Sequence, residues 1–281
     1  MKYQHMALIV PVLFAATGIA GGTKTAHTPS GNASDKPVQT TKDSEHKPAE
    51  EGHWSYDGEA TGPDQWGALS DDFIFAEIGT CQSPVDIRVK DAVEGNAPEL
   101  KFEAGECTID AVNNGHTIQF NCKGAGTLTV GGEEFMLVQF HYHAPSEHTF
   151  NGRSKPVEIH FVHASDSGQL AVVGVMLESG TETNETYEHI CNRLPAFAGD
   201  SLVNTETTFS PYDLLPENTA YFNYAGSLTT PPCSEGVRWF VLKQPIELSK
   251  AQVKDFTDRY TGNNRPVQPL NARLVIVTDG E

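Results

Sequence analysis

The sequence predicts a mostly β protein with a few short helices. The middle of the chain is built from short runs in which apolar and polar residues alternate, turn residues separate those runs, and only one stretch carries clear helical spacing. Thr127–Val130, Gln139–His143, Glu158–His163 and Leu170–Leu177 each read as a strand. Between and around them stand Asn114-Gly115, Gly131-Gly132, Asn151-Gly152 and Ser167-Gly168, pairs that favour tight turns. The helical stretch is Asn184 to Leu194, where Tyr187, Ile190, Cys191 and Leu194 fall on one face. A second short helix is expected after Ser249, whose hydroxyl can cap its first turn.

The two ends differ in character. Lys2 precedes an apolar run from Met6 to Ala20, broken only by Pro11, Thr17 and Gly18. The run is short for a membrane span of about 20 residues, and Gly18-Ile19-Ala20 gives small residues near a plausible cleavage point. Residues 1–20 therefore read as a signal peptide, which predicts a periplasmic or secreted protein. Residues 21–52 hold no aromatic residue and no Leu, Ile or Met, too little apolar surface to offset the entropy of ordering, and read as a disordered linker. Residues 53–281 read as one domain, with no internal repeat and no second linker.

Charge and cysteine content narrow the function. With 37 acidic residues against 19 basic, the formal net charge is −18, so nucleic acid and anionic lipid are not expected partners. The five cysteines, Cys81, Cys107, Cys122, Cys191 and Cys233, are odd in number. At least one is free or pairs between chains, which leaves a homodimer open. No C-x-x-C pair is present, which argues against a cysteine-based metal site. If Asn114-Gly115 forms a two-residue hairpin turn, Cys107 faces Cys122 and the two can form a cross-strand disulfide. Two buried thiols fit the sequence equally well.

The chemistry concentrates in two strands. Alternate side chains of a strand share a face, so Gln139, His141 and His143 point one way and Phe140 and Tyr142 the other. In the later run Glu158, His160 and Val162 share a face. The Asn151-Gly152 turn between the runs suggests antiparallel neighbours, which brings His160 beside the first pair. Three neutral imidazoles and an open fourth position make a catalytic zinc site, with His141, His143 and His160 as ligands and Zn2+ as the expected cofactor. Gln139 and Glu158, two residues from ligands, are placed to accept the other ring N–H and orient them. His163 falls on the opposite face and reads as a structural histidine; His189, on the helix, reads as exposed.

With these residues in hand, the chain resembles the α-class carbonic anhydrases of the exported bacterial type. The resemblance rests on QSPVDI (82–87), NNGHTIQF (113–120), QFHYHAPSEHT (139–149), EIHFVH (158–163), GSLTTPPCSEGVRW (226–239) and NNRPVQPLNAR (263–273), and runs from about Trp54 to Val277. It implies a large twisted, mainly antiparallel central sheet, with zinc at the base of a conical cleft. It implies reversible hydration of carbon dioxide to bicarbonate and a proton, the small-molecule pair being the expected partner. Thr229 corresponds to the hydroxyl that orients the attacking oxygen, and Glu147 to the acceptor of that hydroxyl. His116 corresponds to the proton shuttle, a role that suits a group of unperturbed pKa about 6.5. Val162, Val172, Leu228, Val237 and Trp239 correspond to the apolar wall beside the substrate, and Thr230 offers its backbone N–H there. Cys81 and Cys233 correspond to a disulfide pair.

Three other functions compete. Binding proteins of this type that lack catalysis have lost ligand histidines, and this chain keeps all three. A zinc esterase would use the same machinery, but the small apolar wall suits a triatomic substrate. Zinc scavenging, hinted at by His27, His46 and His53, needs no Thr229–Glu147 pair.

Overall fold

The alternation of apolar residues builds a sheet with a core on each face. The computed structural model describes residues 52–95, 97–191, 194–259 and 262–278. The chain divides into two units, Met1–Ala49 and Glu50–Glu281; residues 1–20, read as a signal peptide, and all but the last residue of 21–52, read as a linker, lie outside the described residues. The strands are β1 (Asp86–Ile87), β2 (Val93–Glu94), β3 (Leu100–Ala104), β4 (Cys107–Asn113), β5 (Ile118–Asn121), β6 (Gly126–Val130), β7 (Glu133–His143), β8 (Thr149–Phe150), β9 (Val157–Ala164), β10 (Leu170–Gly180), β11 (Ser201–Phe209), β12 (Tyr221–Ser227), β13 (Glu235–Leu242), β14 (Ile246–Ser249) and β15 (Ile276–Val277). The α-helices are short: α1 (Trp66–Leu69), α2 (Phe75–Ile78), α3 (Glu185–Cys191) and α4 (Lys250–Arg259).

Thirteen strands form one sheet, whose main path runs β11-β4-β5-β7-β9-β10-β13-β12-β15-β2. Most pairings are antiparallel, as expected, but β10 pairs in parallel with both β13 and β14, and β15 with β2. The sheet is therefore mixed at its centre. The four strands read from sequence are present and all are longer than expected: β6 and β9 by one or two residues, while β7 extends back to Glu133 and β10 on to Gly180. Both helices are in place, and Ser249 Oγ accepts from the Gln252 amide to cap α4. His189 on α3 is exposed.

The larger core lies where Phe140 and Tyr142 point. The Phe120 and Phe140 rings stack with centroids 4.6 Å apart, and Phe161 lies 5.6 Å from Phe140. Each is fully buried, which is worth about 1.5–3 kcal/mol per side chain. The second core gathers Val172, Val237 and Trp239 with the partly buried Val162 and Leu228. β7 is thus fixed by the aromatic side chains behind it, which leaves its histidine face pointing the other way.

One register differs from expectation. β4 and β5 pair Ala111 with Phe120, Val112 with Gln119 and Asn113 with Ile118. A two-residue turn at Asn114-Gly115 would pair Ala111 with residue 118, so the turn is two residues longer. Asn114 causes this: its side-chain Oδ1 accepts from the amides of His116 and Thr117, and Asn114 N donates to Thr117 O, closing a four-residue loop.

Candidate metal centre

The antiparallel pairing of β7 with β9 sets His141 directly opposite His160. His143, two residues along β7, shares the face of His141. Each of the three offers a ligand atom, and these lie within 4.8 Å of one another. Each ring has one nitrogen tied by a neighbour. His141 Nδ1 donates to Gln139 Oε1 at 2.8 Å, His143 Nδ1 to the Asn263 carbonyl at 2.6 Å, and His160 Nε2 to Glu158 Oε1 at 2.9 Å. That leaves His141 Nε2, His143 Nε2 and His160 Nδ1 with lone pairs facing inward. Buried polar groups without partners are rare, yet His143 Nε2 is buried and makes no hydrogen bond. A metal ion placed among the three nitrogens would satisfy it, and the all-imidazole donor set suits zinc.

Electrostatics favour neutral ligands at two of the positions. Burial, with the neighbouring imidazoles, pushes His141 well below its ordinary value. Burial also lowers His143, against the opposing pull of Glu147. For His160 burial is outweighed by Glu158 and Glu147, and its pKa is raised. Glu158 is itself fully buried, which alone would raise it, but His148 and His160 hold it well below the usual carboxylate range. Glu158 is thus an ionised, fixed anchor.

Glu158 does more than the sequence suggests. Its Oε2 accepts the backbone amides of Glu147 and His148, and its Oε1 accepts His148 Nδ1 at 2.7 Å as well as His160. His148 Nε2 lies 2.7 Å from the Tyr224 hydroxyl, which donates to Ser83 Oγ. His148, Glu158 and His160 also sit close enough to form a second metal cluster, but Glu158 Oε1 is already shared by two imidazoles. We therefore assign this group to orientation.

Among the remaining residues, two side chains near the site are not arranged as expected, Glu147 and His116. The apolar residues Val162, Val172, Leu228, Val237 and Trp239 lie together in the second core, and Trp239 meets His160 edge-on at 4.8 Å. His141, Val162, Leu228 and Thr230 are only half-buried, which marks the open side of the site. His163 is the structural histidine expected, held by Ala171 O and the Tyr212 hydroxyl. The first exception is Glu147. Its Oε1 accepts the Arg265 amide at 2.9 Å, but its buried Oε2 has no hydrogen-bond partner. The expected bond from Thr229 is not made; Oε2 turns toward His143 Nε2, 3.5 Å away, and His160 Nδ1, 3.8 Å away. The second is His116. It stacks on Trp54 with centroids 3.7 Å apart, and burial, then the neighbouring charge of His53, lowers its pKa to about 4. The match to a group titrating near 7 does not hold in the stacked position.

The cysteines also depart from expectation. Cys81 and Cys233 are unbridged thiols, although their segments are tied: Glu235 Oε1 accepts Cys81 N, and Gln82 Nε2 donates to Cys233 O. Cys107 and Cys122, despite the shifted register, bring their Sγ atoms to 2.6 Å.

Sequence reasoning missed Asn263, His148 and Tyr224. Asn263 links the site to the shuttle candidate: its carbonyl receives His143, and its Nδ2 donates to the carbonyls of Tyr142 and His116. Asn263 opens the segment NNRPVQPLNAR that carries the resemblance, but a backbone carbonyl leaves no trace in residue type, so its contact with His143 was not read. His148 carried a signal, since it lies three residues from the Asn151-Gly152 turn and ten from Glu158, but no strand parity placed it.

Comparison with known proteins agrees with this geometry. Residues 61–279 match the family model for eukaryotic-type carbonic anhydrase. A protein called carbonic anhydrase from Neisseria gonorrhoeae is 46% identical over 227 residues, covering 80% of this chain and 87% of that protein. Among solved structures, the α-carbonic anhydrase of Thermovibrio ammonificans, in complex with the inhibitor sulfanilamide, aligns with a TM-score of 0.77 at 44% identity, covering 80% of this chain and 99% of the other. The α-carbonic anhydrase of Photobacterium profundum aligns with a TM-score of 0.73 at 43% identity, covering 80% and 100%. A family match over this span, with relatives above 40% identity, places the chain in the α-carbonic anhydrase family as a carbonate dehydratase.

Proposed function

We propose that the chain hydrates carbon dioxide reversibly with one zinc ion held by His141 Nε2, His143 Nε2 and His160 Nδ1. The observation that carries this is the set of three inward lone pairs, each fixed by a different partner, with His143 Nε2 buried and unpaired. Zinc supplies Lewis acidity and a bound water that ionises near pH 7, an effect for which carbonic anhydrase is the standard case. The protein supplies the rest. Gln139, Asn263 and Glu158 fix the tautomer and tilt of each ligand. Val162, Val172, Leu228, Val237 and Trp239 form a dry wall that suits an apolar triatomic molecule and offers nothing to a large ester. Thr229 orients the attacking oxygen when its hydroxyl donates to Glu147 Oε2, the oxygen that otherwise lacks a partner. His116 relays the proton outward after leaving the Trp54 stack, where solvent restores its basicity.

We further read the chain as exported, with residues 1–20 as the leader and Cys81 paired to Cys233 in an oxidising compartment. The adjacency of their segments through Gln82 and Glu235 supports that pairing. Stopped-flow measurement of carbon dioxide hydration, with and without a strong chelator, tests the reading. Rapid hydration that the chelator abolishes is expected; hydration that survives complete zinc removal would overturn it.

A further inference from the structure

We propose that Cys107 and Cys122 form an intramolecular disulfide that clamps the open end of the β4–β5 hairpin, whose turn carries His116. This stands apart from the hydration reading, since neither cysteine touches the metal site. The Sγ atoms lie 2.6 Å apart, about half an ångström beyond the S–S bond length of about 2.05 Å. Both backbones are tied to neighbouring strands. Cys107 pairs with Phe209 of the neighbouring β11, and Cys122 N donates to Val138 O of β7 at 3.2 Å. Cys122 is buried in the larger core, and Cys107 packs against that core from its half-exposed rim.

The hairpin has a use for such a clamp. Its ladder extends only from Asn113–Ile118 to Ala111–Phe120, and beyond it the two chains are no longer paired with each other. At the turn end, Asn263 grips the His116 carbonyl. At the other end the cysteines meet, so a bond there closes the hairpin at both ends.

The chemistry balances by thiol–disulfide exchange with a protein or small-molecule disulfide. The Cys107 thiolate, on the accessible side, attacks one sulfur of the oxidant and expels a thiolate. The Cys122 thiolate then attacks Cys107 Sγ and expels the second. One S–S bond is consumed and one is formed; the two cysteines give up two electrons, and their two protons end on the two thiols of the spent oxidant. The accessible partner reacts first and the buried one resolves.

The experiment uses the full chain equilibrated with glutathione disulfide, alkylated without reduction and digested with trypsin. Cleavage after Lys101 and Lys123 leaves both cysteines on one peptide, 102–123. The expected peptide is unalkylated and lighter by two hydrogens than its dithiol form, and cleavage after Asp110 leaves its halves joined. Alkylation of both cysteines, or linkage of either to Cys81, Cys191 or Cys233, would overturn the proposal. A second arm compares Cys107→Ser with wild type. Without reductant the variant should melt about 6–12 °C lower, the shift expected when a loop of about 15 residues loses its cross-link in a domain of this size. With reductant present the difference should vanish. An equal difference in both buffers would mean that a side chain is being lost, not a bond. The peptide measurement uses wild type and stands even if the variant does not fold.

Discussion

Gly174 of β10 offers a way to disturb the metal site without replacing a ligand or its partner. It pairs with His160 across the ladder, and the space above it is occupied by the Glu158 carboxylate. A Cβ added at Gly174 would lie 2.9 Å from Glu158 Oε1, whereas its next neighbours, Val241 Cγ2 at 3.7 Å and Trp239 Cζ3 at 3.8 Å, are ordinary contacts. The backbone there is not left-handed, so alanine meets no conformational penalty. The carboxylate must therefore retreat by about half an ångström to restore van der Waals distance. It cannot do so freely, because the same oxygen receives His148 at 2.7 Å and His160 at 2.9 Å. Disturbing such an orienting partner typically costs about 10–100-fold in metal affinity, or about 1.4–2.7 kcal/mol, and overpacking costs about 1–3 kcal/mol of stability. Zinc affinity, measured by competition with a chelator of known strength, should fall by that factor in Gly174→Ala. Glu158→Gln, which keeps the volume and removes the charge, should fall at least as far. An affinity in Gly174→Ala within about twofold of wild type would refute the claim that Glu158 sets the His160 geometry.

Other outcomes follow from the same geometry. Thr229→Ala should retain zinc and lose about 100-fold in hydration, the scale of a lost orientation; full activity would remove Thr229 from the mechanism. Trp54→Ala should let the His116 pKa climb from about 4 toward its ordinary value in an NMR titration, and His116→Ala should slow turnover several-fold in weak buffer, with added imidazole restoring it. An unchanged His116 pKa would show that the Trp54 stack is not what depresses it. His163, pushed down to about 4 by burial, stays neutral in the folded state while the unfolded chain takes up a proton below about pH 6.5. Its contribution is thus complete above that pH and is lost as pH falls toward 4, about 2 kcal/mol by pH 5. Urea denaturation at pH 7 and 5 should show wild type losing that much more than His163→Leu; equal losses would mean that His163 is charged in the fold.

Strand parity made the metal site legible. The period of two that sends Phe140 and Tyr142 into the larger core sends Gln139, His141 and His143 the other way, and that inference needs no partner strand. The position of His160 required an antiparallel neighbour, which the Asn151-Gly152 turn supplied. What parity cannot see is what arrives from distant parts of the chain. Asn263 holds His143 through its carbonyl, and Tyr224 reaches the site because β12 lies beside β13, pairings decided by the whole sheet. The hairpin register was misread because Asn114 spends its side chain on the two amides that follow it, turning a two-residue turn into a loop. The His116 pKa was misjudged because its stacking partner, Trp54, lies far away in sequence and nothing near either residue predicts the contact.

The measurement that bears most directly on the central claim is a zinc titration of the metal-free protein, followed by carbon dioxide hydration in stopped flow. The account predicts no hydration above background without zinc, a linear rise with added zinc, saturation at one equivalent per chain, and no comparable rise in His143→Ala. Hydration before zinc is added, or a His143→Ala titration that overlays wild type, would contradict it.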